Sequence, residues 1–434
     1  MQRIQSLTRW LGLTLACGTF TTAVTTQAAK PPKPPPSPAY VTVFVGGLRS
    51  SDGLVQASVS DLNNLGQVVG GTSIQGYDSA HYSQAFLLNP RDTDGDGVPD
   101  TWFVDELQNA TGAPGADGQN DLIIGLGVLP GASSSGVSAI NDLGMVVGAS
   151  DAGGFVVVPT DTDSDGQPEW WRQADGQPPG VNDLMVQLVT FQPGADCAPT
   201  DINGHGQIVG TSGGKGFLLT PVQIAPGLWQ WFQDDGSGGN ALVSDLGDFS
   251  PSSINDSGQI VGSLGGRAAL RKLDGSMIDL RAGGTESLAV VINNRGQIGL
   301  RVHLSAVGFQ DWRARLLTPL DKNKDGLPDT WYQDLNGDGV NDLMVDLGTV
   351  ERLTSSAVAQ HGLNDGGSAV GTSWNYRSAH YNRAPFLWQN GVIQSLKSLT
   401  GGTIEFWDVS AINEAKQILC QVGPMQACIL LPTR

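Results

Sequence analysis

One phrase is written seven times along this chain, and no other feature limits its possible folds so tightly. An aliphatic residue, Asn, two variable positions, Gly, Gln, two aliphatics and Gly appear as LNNLGQVVG (62–70), INDLGMVVG (140–148), INGHGQIVG (202–210) and INDSGQIVG (254–262). Looser copies are INNRGQIGL (292–300), LNDGGSAVG (363–371) and INEAKQILC (412–420). Repetition on this scale marks similar supersecondary units that bury their apolar faces on one another. Each copy reads as a hairpin in which a strand ends at the aliphatic–Asn pair and three residues turn the chain. A Gly takes positive φ at the turn exit, and a strand such as QIVG leaves. All seven copies keep the Asn (63, 141, 203, 255, 293, 364, 413), whose side chain can bond backbone groups across the turn.

A third strand follows most copies: AFLLNP (85–90), GFVVVP (154–159), GFLLTP (216–221), RLLTP (315–319), PFLWQNG (385–391) and CILLP (428–432). A fourth is written as MIDLRAGG (277–284), LMVDLG (343–348) and VIQSLKSLTGG (392–402). Four strands per unit in a meander describe a propeller blade. The last unit, from about Val409, stops after its third strand at Leu431, and the missing strand lies at the other end as YVTVFVGGL (40–48). Pairing these partial units removes two exposed sheet edges. The expectation is therefore an all-β fold, a seven-bladed β-propeller whose ring is closed by the N-terminal strand pairing into the last blade. The open alternative is a β-solenoid. Gly, at 59 of 434 residues, is well above its usual share, in keeping with many tight turns.

Residues 1–28 read as a secretory signal, with Arg3 and Arg9 as basic flank, an apolar stretch from Trp10 to Val24, and an A-x-A-like end at Thr26-Gln27-Ala28. A faint lipoprotein box around Cys17 is the rival reading, weakened by Thr14 at its minus-three position. Residues 29–39 (AKPPKPPPSPA) form a proline-rich linker, and 40–434 a single domain. Export places the chain in an extracellular, cell-surface or periplasmic setting. The net charge of −18 disfavours nucleic acid and anionic membrane as partners, and no segment suggests stable membrane insertion. In an oxidising compartment Cys420 and Cys428, which flank a turn-like QVGPMQA, are candidates for a disulfide, leaving Cys197 as a buried odd thiol.

The chemistry sits in insertions between third and fourth strands. DTDGDGVPD (92–100), DTDSDGQPE (161–169), DKNKDGLPD (321–329) and DLNGDGVND (334–342) share the pattern D-x-[DN]-x-D-G-x-x-[DE]. Calcium takes six to eight hard oxygens, and positions one, three, five and nine offer side-chain oxygens, with a backbone carbonyl at seven. The candidate ligands are Asp92, Asp94, Asp96, Val98 and Asp100; Asp161, Asp163, Asp165, Gln167 and Glu169; Asp321, Asn323, Asp325, Leu327 and Asp329; and Asp334, Asn336, Asp338, Val340 and Asp342. Magnesium would need a tighter octahedron, and no His/Cys cluster suggests zinc or copper.

The repeated IN-x-x-GQ phrase followed by an AF-L strand resembles the bacterial extracellular HAF-repeat family, with SAHYSQAF (79–86) and SAHYNRAPF (378–386) keeping a His further from the Phe than that family's name suggests. The resemblance spans nearly all the chain after residue 40 and implies a surface or exported protein without supplying a reaction. The nine-residue acidic phrases look like the hairpin cation loops of integrin α-subunit propellers, which implies calcium at the ligands named above.

No G-x-S-x-G elbow, H-E-x-x-H or phosphate loop is written in the chain, so an enzyme is not expected. A propeller hydrolase of glycosidase type, working through paired carboxylates, is one alternative. A purely structural envelope protein is the other. Trp102, Trp170, Trp171 and Trp331 follow the acidic loops; packing beneath the hairpins is the plain reading, and contact with a glycan or protein partner, through Trp102, Trp170 and Trp331, the sharper one. The expected role is that of an exported calcium-binding module for binding, adhesion or scaffolding of a protein or glycan.

Overall fold

The computed structural model describes residues 39–47, 57–75, 81–106, 119–162, 168–173, 180–192, 194, 196–305, 311–377, 380–423 and 426–433. The proposed signal (1–28), the linker up to residue 38, and Asp163, Asp165 and Gln167 lie outside the described residues.

The fold is all-β, built from antiparallel meanders of four strands. The first sheet comprises Ser58–Leu62, Val68–Gln75, His81–Leu88 and Ile123–Gly125. The second has Ser135–Ile140, Val146–Ser150, Gly153–Val157 and Met185–Gln187. In the third, Cys197–Ile202, Ile208–Ser212 and Lys215–Leu219 pair on to Val243–Gly247, with a ribbon of Val222–Ala225 and Leu228–Gln230 inserted before that last strand. The fourth is Phe249–Ile254, Ile260–Leu264, Arg267–Arg271 and Met277–Asp279. Glu286–Ile292, Ile298–His303, Trp312–Leu317 and Met344–Asp346 make the fifth. Ser355–Leu363, Ala369–Arg377, His380–Gln389 and Val392–Ser395 make the sixth. The stretch expected to continue that last strand instead enters a one-turn helix, Leu396–Leu399, capped by the Ser395 hydroxyl.

Phe406–Ile412, Ile418–Val422 and Gln426–Pro432 form the seventh sheet, and Tyr40–Phe44 pairs with Gln426–Pro432 as its fourth strand, Tyr40 opposite Pro432 and Phe44 opposite Cys428. A single parallel bridge, His361 to Ala411, joins the sixth and seventh sheets.

The apolar runs of the middle strands follow from how these sheets stack. Phe86, Leu87 and Leu88 are consecutive and all fully buried, so both faces of the strand are covered. Leu87 packs with Ile140 and Val146 of the second sheet, whereas Phe86 and Leu88 pack with Leu419 and Ile429 of the seventh. The remaining neighbours share cores in the same way: second with third, third with fourth, fourth with fifth, fifth with sixth and sixth with seventh. Each large aliphatic or aromatic side chain so buried contributes about 1.5–3 kcal/mol. The glycine that ends the phrase is explained by this packing: a Cβ at Gly70 would lie 2.2 Å from Ser58 O and 2.7 Å from the Phe86 ring.

The phrase itself makes the turn expected of it. Asn203 Oδ1 accepts from His205 N (3.1 Å) and Gln207 N (2.9 Å), and Gly206 sits at φ +74°. Its Nδ2 does something the turn does not require, donating to Asn255 O in the next sheet at 3.0 Å. The same bond runs from Asn63 to Asn141, from Asn141 to Asn203, from Asn255 to Asn293, from Asn293 to Asn364, from Asn364 to Asn413, and from Asn413 back to Asn63. Buried amides at 3–6% exposure, satisfied at both ends, tie neighbouring sheets together one after another.

Cys420 and Cys428 face each other across adjacent strands, as the expected disulfide required, but both are fully buried free thiols. Cys197 is a third buried free thiol, and burial pushes its pKa up to about 12, so it is inert.

Candidate cation loops and their supports

Three of the four acidic phrases are pinched by an isolated antiparallel bridge one residue outside each end: Arg91–Thr101, Thr160–Trp170 and Leu320–Thr330. Within that clamp the first loop folds on its own carboxylates. Asp92 accepts from Gly95 N and Gly97 N, each at 2.7 Å, Asp94 from Asp96 N at 3.2 Å, and Asp96 from Val98 N at 2.9 Å. Asp100 closes the loop by accepting from the Thr93 amide (3.2 Å) and hydroxyl (2.7 Å).

The same pattern recurs in the third loop, where Asp321 accepts from Lys324 N and Gly326 N, Asn323 from Asp325 N, Asp325 from Leu327 N, and Asp329 from Lys322 N. In the fourth, Asp334 accepts from Gly337 N and Gly339 N, Asn336 from Asp338 N, Asp338 from Val340 N, and Asp342 from Leu335 N. For the second loop, Asp161 and Glu169 are described, and Glu169 accepts from the Thr162 amide and hydroxyl as Asp100 does from Thr93. Glycine at position six is needed sterically, since Gly97, Gly326 and Gly339 have φ of +85°, +92° and +81°.

Convergence differs between the loops. Asp92, Asp94 and Asp100 each offer an oxygen within 4.8 Å of the others, the one such group of three among the described residues. Asp96 stands outside that group, as do the acids of the third and fourth loops, which carry Asn at position three. Two carboxyls of the first loop are held below their ordinary range, Asp92 chiefly by the Gly97 amide and Asp100 chiefly by the Thr93 hydroxyl. Asp329 is lowered likewise, first by the Thr330 hydroxyl. These three carboxyls are exposed, and both oxygens of each accept hydrogen bonds from within the loop or its clamp.

Tryptophan follows the plain reading at the matching offsets. Trp102 and Trp331 are buried at 3% and 2% exposure, and their indole N–H groups donate to Gly66 O and Gly296 O of the repeated turn. They cannot touch a ligand, which corrects the sharper expectation for both. Trp171 is their equivalent in the second sheet, on Gly144 O, while Trp170 is 59% exposed.

A second asparagine series escaped the sequence reading. Asn120, Asn182, Asn240 and Asn341 lie three residues before the fourth strands, and each Nδ2 donates to two carbonyls: that of Trp102, Trp171, Trp231 or Trp331, and one just past the last strand of the preceding sheet. The signal was present as NDL at 120–122, 182–184 and 341–343 and as NAL at 240–242. These residues moor each insertion to the core, so the acidic hairpins project from fixed points.

No family model matches the chain, and no curated protein matches it. Among solved structures, the extracellular domain of a "putative hybrid two component system" from B. thetaiotaomicron aligns over 90% of this chain and 39% of its own, at 9% identity and TM-score 0.34. A Trypanosoma rangeli sialidase bound to the inhibitor DANA aligns over 83% of this chain and 59% of its own, at 11% identity and TM-score 0.29. The chain thus spans less than two thirds of either neighbour, and likeness this slight carries no functional argument. Among the described residues no helix is long and apolar enough to cross a membrane.

Proposed function

We propose that the chain is an exported calcium-binding module on a closed seven-bladed β-propeller, and that its calcium-ordered face holds a protein or glycan partner. Closure is supported by the asparagine bonds, which return from Asn413 to Asn63, and by the core that the seventh sheet shares with the first. Calcium rests above all on the loop at 92–100, where three carboxylates gather within 4.8 Å on a clamped turn. Asp92, Asp94 and Asp100 would hold the ion, with Asp96 and the Val98 carbonyl drawn in, and the charge of the cation would offset the repulsion among them. The third and fourth loops have the same backbone scaffold with fewer charges. A partner would meet the apolar side chains raised beside these loops, Val98, Trp170, Leu327 and Leu335, all exposed.

Calcium titration of the intact protein by calorimetry tests the first half. Saturable binding and a melting temperature several degrees higher in calcium than in EDTA are expected, both reduced by the double change Asp92→Asn, Asp94→Asn. Absence of heat and of any melting shift in millimolar calcium would remove the metal from the reading. A glycan array with and without calcium, repeated with Trp170→Ala, tests the second half.

A further inference from the structure

The first strand of the sixth sheet departs from its counterparts. In the first, second, third and fourth sheets one extra residue bulges from this strand, as Ser60 does between Val59 and Asp61. In the sixth, the register jumps from Val358 opposite Gly371 to Leu363 opposite Ala369, so four residues stand where the partner strand has only Val370. The added length carries Gln360 and His361 away from their own sheet. Gln360 Nε2 donates to Ser252 O in the fourth sheet at 2.7 Å, and His361 Nε2 lies 3.2 Å from Ser138 O in the second. On its other side His361 Nδ1 is 3.6 Å from buried Asp61 of the first sheet. Two side chains from one strand therefore span to three other sheets and form a floor, with one cavity on each side of His361.

The cavity on the Gln360 side has a volume of about 540 Å³, within the range of about 300–1,000 Å³ usual for small-molecule sites. Its walls are apolar at Val59, Val137, Pro251 and Val409, and hydroxyl groups are spaced between them. Ser60 and Ser410 hydroxyls are spent on neighbouring carbonyls, Val137 O and Val59 O. Ser138 and Ser252 use their carbonyls to anchor the floor, and both residues line the cavity together with Gln360. The one acid in the wall, Asp408, is engaged by the Thr372 hydroxyl at 2.6 Å and by Arg383 at 3.6 Å, and no Lys or Arg lines the space. Such a lining neither needs nor tolerates a charged ligand; it offers paired donor–acceptor groups around apolar patches.

We infer that this cavity, floored by Gln360 and His361 and bordered by the Ser138 and Ser252 hydroxyls, is a binding site for a small neutral polyhydroxylated molecule, a single sugar ring or cyclic polyol. Ring hydroxyls match the serine and amide groups, and the C–H face of such a ring suits the valine and proline walls. No residue of the acidic loops lines the site.

Saturation-transfer NMR and calorimetry with glucose, galactose, N-acetylglucosamine and myo-inositol, in EDTA to keep the acidic loops out of play, test the assignment. At least one probe is expected to bind saturably, at least tenfold more weakly to Gln360→Leu and to the pair Ser138→Ala, Ser252→Ala. Ser138→Ala alone, which removes one hydroxyl that bonds no protein group, serves as the variant least able to disturb the fold and should weaken binding severalfold. Sugars and inositol are separated by which probe saturates. No binding of any probe at millimolar concentration, or binding that all these variants leave unchanged, would overturn the inference.

Discussion

At the scale of single residues, the repeated turn makes two separable demands. Its exit needs left-handed backbone, met by glycine six times and by Lys416 at φ +60° in the seventh copy. Holding an L-residue there costs about 1–2 kcal/mol, so Lys416→Gly should raise unfolding stability by about 1 kcal/mol. Gly206→Ala should lower it by a similar amount, since a Cβ at Gly206 meets nothing closer than 3.4 Å and adds strain without a clash. Opposite shifts in the urea midpoint check both. The other demand is the asparagine. Asn203→Ala strands the buried Asn255 O and two part-buried turn amides and should cost about 2 kcal/mol by the same measurement. A loss below about 0.5 kcal/mol would mean that water replaces those bonds and that the links between sheets carry little of the stability.

At the scale of elements, what could be read in advance were features that repeat locally. The turns, the third strands and the place of the acidic insertions all have a periodic signature within a few dozen residues. The outward reach of the asparagine Nδ2 was not legible, because its acceptor is a backbone carbonyl 38 to 78 residues away in six copies and 350 in the seventh, and main-chain acceptors leave no mark in a sequence. The Trp102 and Trp331 positions were readable as offsets, yet only the fold shows that the indole roofs a turn. The ribbon at 222–230 and the enlarged bulge at 359–362 occur once each, so repetition gave no template for either.

Turns outside the repeated phrase also carry testable weight. Asp151, between the second and third strands of the second sheet, accepts from the Ser133 hydroxyl at 2.6 Å and from the Ser133 and Ser134 amides, which lowers its pKa to about 2. An unfolded aspartate titrates near 3.9. Because the folded value is depressed, its contribution is present above about pH 4 and fades as the pH falls through about 2. Buried Asp201 works in the opposite sense: burial raises its pKa, so its contribution is largest below the unfolded value and is lost as the pH rises through the folded one. The melting temperature should therefore drop between pH 4 and pH 2, and Asp151→Asn should flatten part of that drop. An unchanged acid profile would show that the solvent-exposed Ser133 contacts are too screened to matter.

At the scale of the whole molecule, stability depends on whether the seventh sheet is completed by the chain's other end. Tyr40–Phe44 is a five-residue edge strand, and it is held at both flanks: Ala39 N donates to Leu399 O and Thr433 N to Ala39 O, each at 2.9 Å, and Val45 N donates to Ala427 O at 3.1 Å. Val45, fully buried, joins the core shared by the first and seventh sheets, and its carbonyl accepts from Asn120 Nδ2 at 2.7 Å. None of the bonds just named involves residues 1–37, whereas removing residues 1–47 takes away Tyr40–Phe44 and Val45 and leaves the edge of Gln426–Pro432 bare. A chain lacking 1–37 should melt within a degree or two of the full chain in one cooperative transition. One lacking 1–47 should melt at a much lower temperature, lose cooperativity, and associate through its bare edge. Adding a synthetic peptide of residues 38–48 should restore part of the loss by strand addition. If the shorter chain melts as the full one does, Tyr40–Phe44 is dispensable and the seven sheets need no completed seventh member. That outcome would overturn the proposed ring closure.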